Sequence, residues 1–173
     1  WKNIESIQAM GKPRLFVGVT AGNLDSMLSN YTAARHKRKD DVYSPGGLPG
    51  RRPNHAAVVY AQMAKRAFPG VPVILGGMEA SMRRTAHYDY WEDKLRPSIL
   101  ADSKADLLVY GMGERAVREI TRRLSRGERN LEDIRGTAVL LGGKATAAAD
   151  FSGCVMLPSW EELQADPKLL LKL

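Results

Sequence analysis

The sequence contains a single cysteine, Cys154, among its 173 residues. One cysteine excludes a disulfide framework and any metal site built from several cysteines of this chain. It is typical of a reducing compartment, so we expect a cytoplasmic location. No apolar run approaches the roughly 18 residues that a membrane span requires, and we therefore expect a soluble protein with no membrane partner.

Several catalytic motifs are absent as well. The sequence has no G-x-S-x-G elbow and no G-x-x-x-x-G-K-[ST] loop, so it indicates neither acyl transfer nor P-loop phosphoryl transfer. Its three histidines, His36, His55 and His87, have no histidine four residues away and no cysteine partner. This spacing indicates no zinc or non-haem iron site.

The composition is that of a folded domain. Hydrophobic residues make up 44% of the chain, which excludes wholesale disorder, and the length fits one domain. The chain begins at Trp1 instead of methionine and ends in an apolar stub at Leu173. We expect from both ends that it is a piece of a longer polypeptide.

Four short apolar runs predict strands, at residues 14–20, 71–75, 106–110 and 137–141. None alternates between polar and apolar residues, which is typical of strands buried on both faces of a parallel sheet. Helical periodicity predicts helices over residues 56–67 and 114–124, and a weaker one over residues 23–35. Residues 39–53 and 76–97 are rich in glycine, proline, charge or aromatic side chains and are predicted to be long loops.

This alternation predicts an α/β fold with a doubly wound, mostly parallel sheet of four or five strands, Rossmann-like and incomplete. We expect residues 1–145 to form that domain and residues 146–173 to be a linker and the start of a following region. Ligands of such sheets bind outside the carboxyl ends of the strands. At those ends the sequence places a candidate ligand rim, called here the glycine rim: Gly76, Gly77, Glu79, Ser81, Gly111, Gly113 and Glu114.

The rim has two interpretations. Paired glycines let backbone N–H groups approach a ligand, but small residues also simply permit tight turns. Residues 111–116 read G-x-G-x-x-A between a predicted strand and a predicted helix, as in dinucleotide-binding folds. Glu114 would repel a pyrophosphate there, and no acidic residue closes the next strand, so a plain strand–turn–helix is favoured.

Two other clusters also leave alternatives open. The net charge of +7, the basic stretch at residues 35–39 and the pairs Arg51–Arg52 and Arg83–Arg84 permit an RNA or phosphate partner, but a solvated loop or a docking face for another domain is favoured. Aromatic and acidic residues concentrate at residues 87–93. They would stack on a planar ligand, plug a loop, or contact another domain.

Several strings look like a known family: LFVGVTAGNLDSM, YSPGGLPGRRPNHA, PVILGGMEASMRRTAHYDYW and DSKADLLVYGMGERAV. They resemble the amino-terminal region of YgiQ-type radical SAM proteins over most of residues 12–140, while residues 141–173 match loosely. The pair PVILGG and LLVYGMGE also resembles the cobalamin-binding-like domain that precedes many radical SAM cores. The D-x-H-x-x-G motif that ligates cobalt is absent.

The resemblance implies a larger enzyme. Radical SAM enzymes hold a [4Fe-4S] cluster through C-x-x-x-C-x-x-C and cleave S-adenosylmethionine at it. Cys154 has no partner cysteine, so the motif is expected beyond Leu173. The implied function is a non-catalytic accessory domain that contacts the radical SAM core of the same polypeptide and helps to shape the pocket for a substrate that the residues do not identify. The alternatives are a nucleotide- or cobalamin-binding module and a basic RNA-contacting module.

Overall fold

A computed structural model describes residues 2–142 and 150–172 of the chain. Its strands are short and fall in or beside the predicted apolar runs, except for a hairpin: β1 (Val17–Val19), β2 (Val73–Leu75), β3 (His87–Asp89), β4 (Lys94–Arg96), β5 (Leu107–Val109) and β6 (Thr137–Ala138). The central sheet has the order β1-β2-β5-β6, and β3 pairs with β4 separately. The predicted α/β fold with a mostly parallel sheet is confirmed.

The helices among the described residues are α1 (Glu5–Gln8), α2 (Ser26–Asn30), α3 (Ala56–Ala67), α4 (Gly77–Met82), α5 (Ile99–Ser103), α6 (Glu114–Ser125) and α7 (Trp160–Ala165). Short 3-10 turns cover Pro45–Gly47 and Pro167–Lys172. The two helices with the clearest apolar period, α3 and α6, are confirmed almost to the residue. The weaker prediction over residues 23–35 was too long, because Asp25 caps α2 and the chain leaves the helix at Tyr31 in an extended conformation.

The sheet is covered on both faces. Along the strands, alternate side chains point to opposite faces, so neighbouring apolar residues enter different cores. Val73, Leu75 and Leu108 pack with α3 and α5 on one face. Ile74 and Leu107 pack with Ile120 and other residues of α6 on the other face. This explains why the strand sequences are apolar throughout instead of alternating.

The fourth strand differs from its prediction. β6 ends at Ala138 and runs antiparallel to β5, whereas β1, β2 and β5 are parallel. After α6, residues 126–136 return the chain to the carboxyl end of β5, where Tyr110 donates its N–H to the Gly136 carbonyl at 3.0 Å. The strand that starts there can only run back down the sheet.

The prediction of a long loop over residues 76–97 was wrong. This segment forms α4 and the antiparallel β3–β4 hairpin. Its polar residues are not all solvated, since Glu79 and Asp89 are each 2% exposed. Residues 39–53, in contrast, form no α-helix or strand, as predicted.

The carboxyl-terminal described segment packs on the hairpin. Ser159 and Glu162 form a reciprocal capping box that starts α7. Leu163 is fully buried, and the Trp160 indole Nε1 donates to the Leu95 carbonyl of β4 at 3.3 Å. The predicted domain boundary between residues 145 and 146 lies outside the described residues.

Candidate functional site

The carboxyl ends of the parallel strands meet at one edge of the sheet, and the glycine rim lies there. Ser81 joins its two halves: the Ser81 hydroxyl donates to the Gly77 carbonyl at 2.8 Å and accepts the Gly111 N–H at 3.2 Å. Gly113 immediately precedes α6, and Glu114 is its exposed first residue. The structure therefore brings together the loops that the sequence places at this edge.

Gly77 is where the loops approach each other most closely. Its φ of +82° is in the left-handed region. A Cβ on Gly77 would lie 2.4 Å from the Thr20 hydroxyl oxygen, at the end of β1. Gly111 also has a positive φ, of +66°, but a Cβ there would meet nothing within 4 Å. Gly76 has an extended backbone, and a Cβ there would make only an ordinary contact, at 3.8 Å from the Val109 carbonyl oxygen.

Glu79 is not aimed into open space. Its side chain is buried, and its two oxygens accept the N–H groups of Ser26 at 2.8 Å and Ala57 at 3.0 Å. These N–H groups belong to the first turns of α2 and α3. N–H groups in the first turn of a helix have no acceptor within that helix. Glu79 therefore caps two helices at once, and a ligand could contact its carboxylate only by breaking these hydrogen bonds.

A groove of about 600 Å³ opens beside the rim, at the end of β1. Thr20, Gly22, Tyr43 and Tyr60 line it together with Arg52. Arg52 is held by Asp41, with 3.0 Å between Nη2 and Oδ2, and donates to the Ala21 carbonyl at 3.2 Å. The Asp41–Arg52 pair thus fixes the loop of residues 39–53 against the carboxyl edge of the sheet.

Acid should weaken this attachment. Burial raises the pKa of the Asp41 carboxyl, but hydrogen bonds from Ser44 and from the Tyr43 N–H, with the charge of Arg52, outweigh it and hold the pKa below its usual value. A lowered folded-state pKa stabilises the fold above the unfolded pKa of about 3.9, and this contribution is lost as the pH falls through the folded value. We expect Asp41→Asn to lower the free energy of unfolding by about 1–3 kcal/mol at pH 7.

Urea unfolding from pH 7 to pH 3 measures the difference between this variant and the unmodified chain. The difference should begin to shrink below about pH 4, where the Asp41 carboxyl of the unfolded chain takes up a proton, and should shrink further as the pH falls toward the lower folded-state pKa. Asp40→Asn, at the exposed neighbouring residue, is the matched control and should change stability much less. A difference for Asp41→Asn that stays constant over this pH range would contradict the role of its charge.

The basic residues that motivate an RNA partner contact their own chain. Arg38 donates to the carbonyls of Leu28 and Tyr31 at 2.9 and 3.1 Å. The Arg35 guanidinium lies 4.5 Å from the centre of the Tyr90 ring. Arg83 forms an ion pair with the buried Asp25. These contacts favour a structural role for this charge over phosphate binding.

The aromatic cluster also makes internal contacts. The Trp91 ring lies 5.6 Å from Tyr31 and 5.3 Å from Tyr90, measured between ring centres. The Tyr90 hydroxyl donates to the Ala33 carbonyl at 2.8 Å. The cluster therefore ties the turn of the β3–β4 hairpin to the segment after α2, which favours packing over stacking on a planar ligand.

One group of polar side chains comes together only in the folded chain. His55, just before α3, lies against Asp89 and Glu92 of the β3–β4 hairpin, with its Nε2 3.2 Å from a Glu92 oxygen. The acids are three residues apart, but His55 is distant along the chain, so residue spacing gives no signal for the three together. Only the folded hairpin places them side by side.

The described residues do not fit a [4Fe-4S] cluster. Such a cluster in radical SAM enzymes needs three thiolates. The sequence has one cysteine, and this residue, Cys154, is exposed.

Among the helices of residues 2–142 and 150–172, none combines the length and the apolar character that a membrane-spanning helix needs.

Comparison with known proteins gives a family match over residues 1–173, described as radical SAM N-terminal. A UPF0313 protein of Geobacter sulfurreducens is 54% identical over 168 residues, which are 96% of this chain and 27% of that protein. One from Thermotoga petrophila is 52% identical over 97% of this chain and 29% of the relative. A third, from Rhodopseudomonas palustris, is 59% identical over 80% of this chain and 21% of the relative.

The resemblance predicted from the sequence is thus confirmed, and it extends past residue 140, where only a loose match was expected. The chain spans less than a third of the length of these relatives. No solved structure matches it significantly.

Proposed function

Because the chain belongs to the radical SAM N-terminal family, we propose that it is the non-catalytic accessory domain of a radical SAM enzyme. The [4Fe-4S] cluster and S-adenosylmethionine would be held by a core elsewhere in the same polypeptide. The observation that carries this proposal is the coverage of its relatives: the chain spans 27% and 29% of two of them, and it holds one cysteine.

The rim supports a packing role over a chemical one. The Glu79 oxygens and the Ser81 hydroxyl are used in hydrogen bonds that hold α2, α3, α4 and the β5–α6 turn together. Of the two acidic residues of the rim, Glu79 is buried and Glu114 is the exposed first residue of α6. We infer that this edge provides a rigid surface and that the chemistry takes place elsewhere.

An exposed apolar patch at the same edge is suited to contact the core. Met78 and Met82 lie four residues apart on α4 and are 48% and 61% exposed, and Met112 after β5 is 87% exposed. The Ser81–Gly111 hydrogen bond places α4 beside the loop that carries Met112. Flexible, apolar methionine side chains adapt well to a partner surface. We assign the radical SAM core of the same polypeptide as the partner of this methionine patch.

The enzyme class is tested on the full-length protein, reconstituted anaerobically with iron and sulfide. We expect iron–sulfur absorbance and reductive cleavage of S-adenosylmethionine to 5′-deoxyadenosine. A full-length protein that binds no iron would overturn the proposal. Calorimetry of the 173-residue chain with NAD, ATP, S-adenosylmethionine and cobalamin tests the alternatives, and micromolar binding of one of them would replace the accessory role.

The methionine patch is tested by hydrogen–deuterium exchange. In the full-length protein, amides at residues 77–82 and 110–113 should exchange more slowly than in the 173-residue chain, because the core covers them. Met112→Glu in the full-length protein should remove this protection without loss of the cluster. The matched control is Met10→Glu, since Met10 is 76% exposed but lies outside the patch. Equal exchange in the two proteins would contradict the assignment.

A further inference from the structure

We propose that His55, Asp89 and Glu92 bind a divalent first-row transition-metal cation. One ligand atom from each of them, an imidazole nitrogen and two carboxylate oxygens, lies within 4.8 Å of the other two. Ligand atoms that share one cation at about 2.1 Å lie roughly 3–4 Å apart. The three side chains are therefore close to the spacing that a shared cation requires.

The buried carboxylate of Asp89 is the main indication of a cation site. Its side chain is fully buried, and its Oδ1 accepts the N–H groups of Trp91 at 2.8 Å and Glu92 at 3.0 Å. Its Oδ2 is also buried but has no hydrogen-bond partner. A carboxylate oxygen withdrawn from water without a partner is costly. His55 Nδ1 lies 3.9 Å from this oxygen, which is too far for a hydrogen bond. A cation between these two atoms would supply the partner that the Asp89 oxygen lacks.

The remaining ligands lie toward solvent. The His55 and Glu92 side chains are 21% and 31% exposed. Rotation of these partly exposed side chains can bring their donor atoms onto a cation anchored at the rigid Asp89. The exposed side leaves coordination positions for water or for an oxygen of a small ligand, as in metal sites with three protein ligands.

The donor set selects the class of cation. Imidazole nitrogen favours Zn²⁺, Fe²⁺ and related ions over Ca²⁺ and Mg²⁺, while two carboxylates also suit Mn²⁺. Glu92 is already paired with Arg96, at 2.8 Å, and with Lys94, at 2.6 Å. A bound cation has to share the Glu92 carboxylate with Lys94 or Arg96. The site therefore favours an ion that also binds the His55 imidazole nitrogen strongly. We therefore assign Mn²⁺, Fe²⁺ or Zn²⁺ and not Mg²⁺.

The site has a structural consequence that is independent of the accessory role. His55 precedes α3, whereas Asp89 and Glu92 belong to the hairpin and its turn. A cation shared by all three would clamp the hairpin onto the start of α3. Since Ala57 in the first turn of α3 is bonded to Glu79, the clamp lies near the carboxyl edge of the sheet.

Mn²⁺ is the probe, because it reports its ligands by pulsed electron paramagnetic resonance. We expect the 173-residue chain to bind one equivalent of Mn²⁺ and to show ¹⁴N modulation from a coordinated imidazole. A tenfold excess of Zn²⁺ should displace the signal, and a tenfold excess of Mg²⁺ should not. No binding at millimolar Mn²⁺, or bound Mn²⁺ without ¹⁴N modulation, would overturn the assignment.

Two variants with matched controls locate the ion. His55→Gln should abolish the ¹⁴N modulation, and Asp89→Asn, which keeps an oxygen for the two turn N–H groups, should weaken binding. A lost ligand should cost at least the 10–100-fold that loss of an outer-shell partner costs. The controls are His36→Gln and Asp150→Asn, the latter at an exposed aspartate that also accepts a turn N–H.

Circular dichroism verifies that each variant is folded. Because His55 is partly exposed, its variant tests the site even if Asp89→Asn is unstable. Unchanged Mn²⁺ affinity in His55→Gln, or equal losses in the control variants, would mean adventitious binding only and would refute the proposal.

Discussion

Replacing Glu79 with alanine should lower the free energy of unfolding by about 3–6 kcal/mol, since each buried N–H left unpaired costs about 1–3 kcal/mol. The side chain is 2% exposed and is the acceptor for Ser26 in α2 and Ala57 in α3. Alanine also leaves a cavity, which adds to the loss. Glu79→Gln retains the shape and one acceptor oxygen but turns an NH₂ group toward an N–H donor, so its effect should be about half as large.

Chemical unfolding monitored by circular dichroism measures both variants. Glu114→Ala is the matched control, because Glu114 also lies at a helix start but is exposed and should contribute only a few tenths of a kcal/mol. In the full-length protein, Glu79→Gln separates structure from chemistry. If it lowers turnover far more than the folded fraction of the protein, the carboxylate acts on a ligand and its purely structural role is wrong.

Gly77→Val should destabilise the fold by about 2–5 kcal/mol. A left-handed backbone costs an ordinary residue about 1–2 kcal/mol, and forcing extra atoms into packed space costs about 1–3 kcal/mol more. At Gly77 both costs arise, because φ is +82° and the added Cβ would lie 2.4 Å from the Thr20 hydroxyl. The collision is with the end of β1, so the parallel β1–β2 pair must shift to relieve it.

Gly111→Val separates the two costs. Gly111 has a φ of +66° but open space around its Cβ position, so only the backbone cost applies. Thermal and urea unfolding should place its loss in stability at about 1–2 kcal/mol. Gly77→Ala combined with Thr20→Ala should recover part of the loss of Gly77→Ala, because the hydroxyl is removed. Equal effects of valine at both glycines would show that the contact with Thr20 is unimportant.

The sequence predicts the parts of this fold that follow simple periodicity. The apolar faces of α3 and α6 recur at helical spacing, and the runs around Leu75 and Leu108 are apolar at every position because both faces of the sheet are covered. The meeting of the glycine-bearing loops also follows from sequence, since parallel strands end at one edge. The close approach of Gly77 to Thr20 does not follow from sequence, because the distance between these two residues depends on how the sheet twists.

The failures share a physical cause. Residues 76–97 are polar, and polarity predicts solvent exposure when partners are not visible. Here the partners are distant: Glu79 is buried against two helix ends, and Arg83 against Asp25. The cluster of His55, Asp89 and Glu92 is hidden from sequence for the same reason. The antiparallel direction of β6 is set by the path of residues 126–136, which carries no periodic signal.

The Glu79 contacts also constrain the order in which the chain folds. One carboxylate joins positions separated by 53 and by 22 residues along the chain. Closing loops of this size costs entropy that the contacts have to compensate, and pairing β1 with β2 closes a loop of similar length, from Val17 to Val73. A nascent chain that stops short of α4 leaves the starts of α2 and α3 without their shared acceptor. The starts of these two helices therefore gain their shared acceptor only when the chain has been synthesised as far as Glu79.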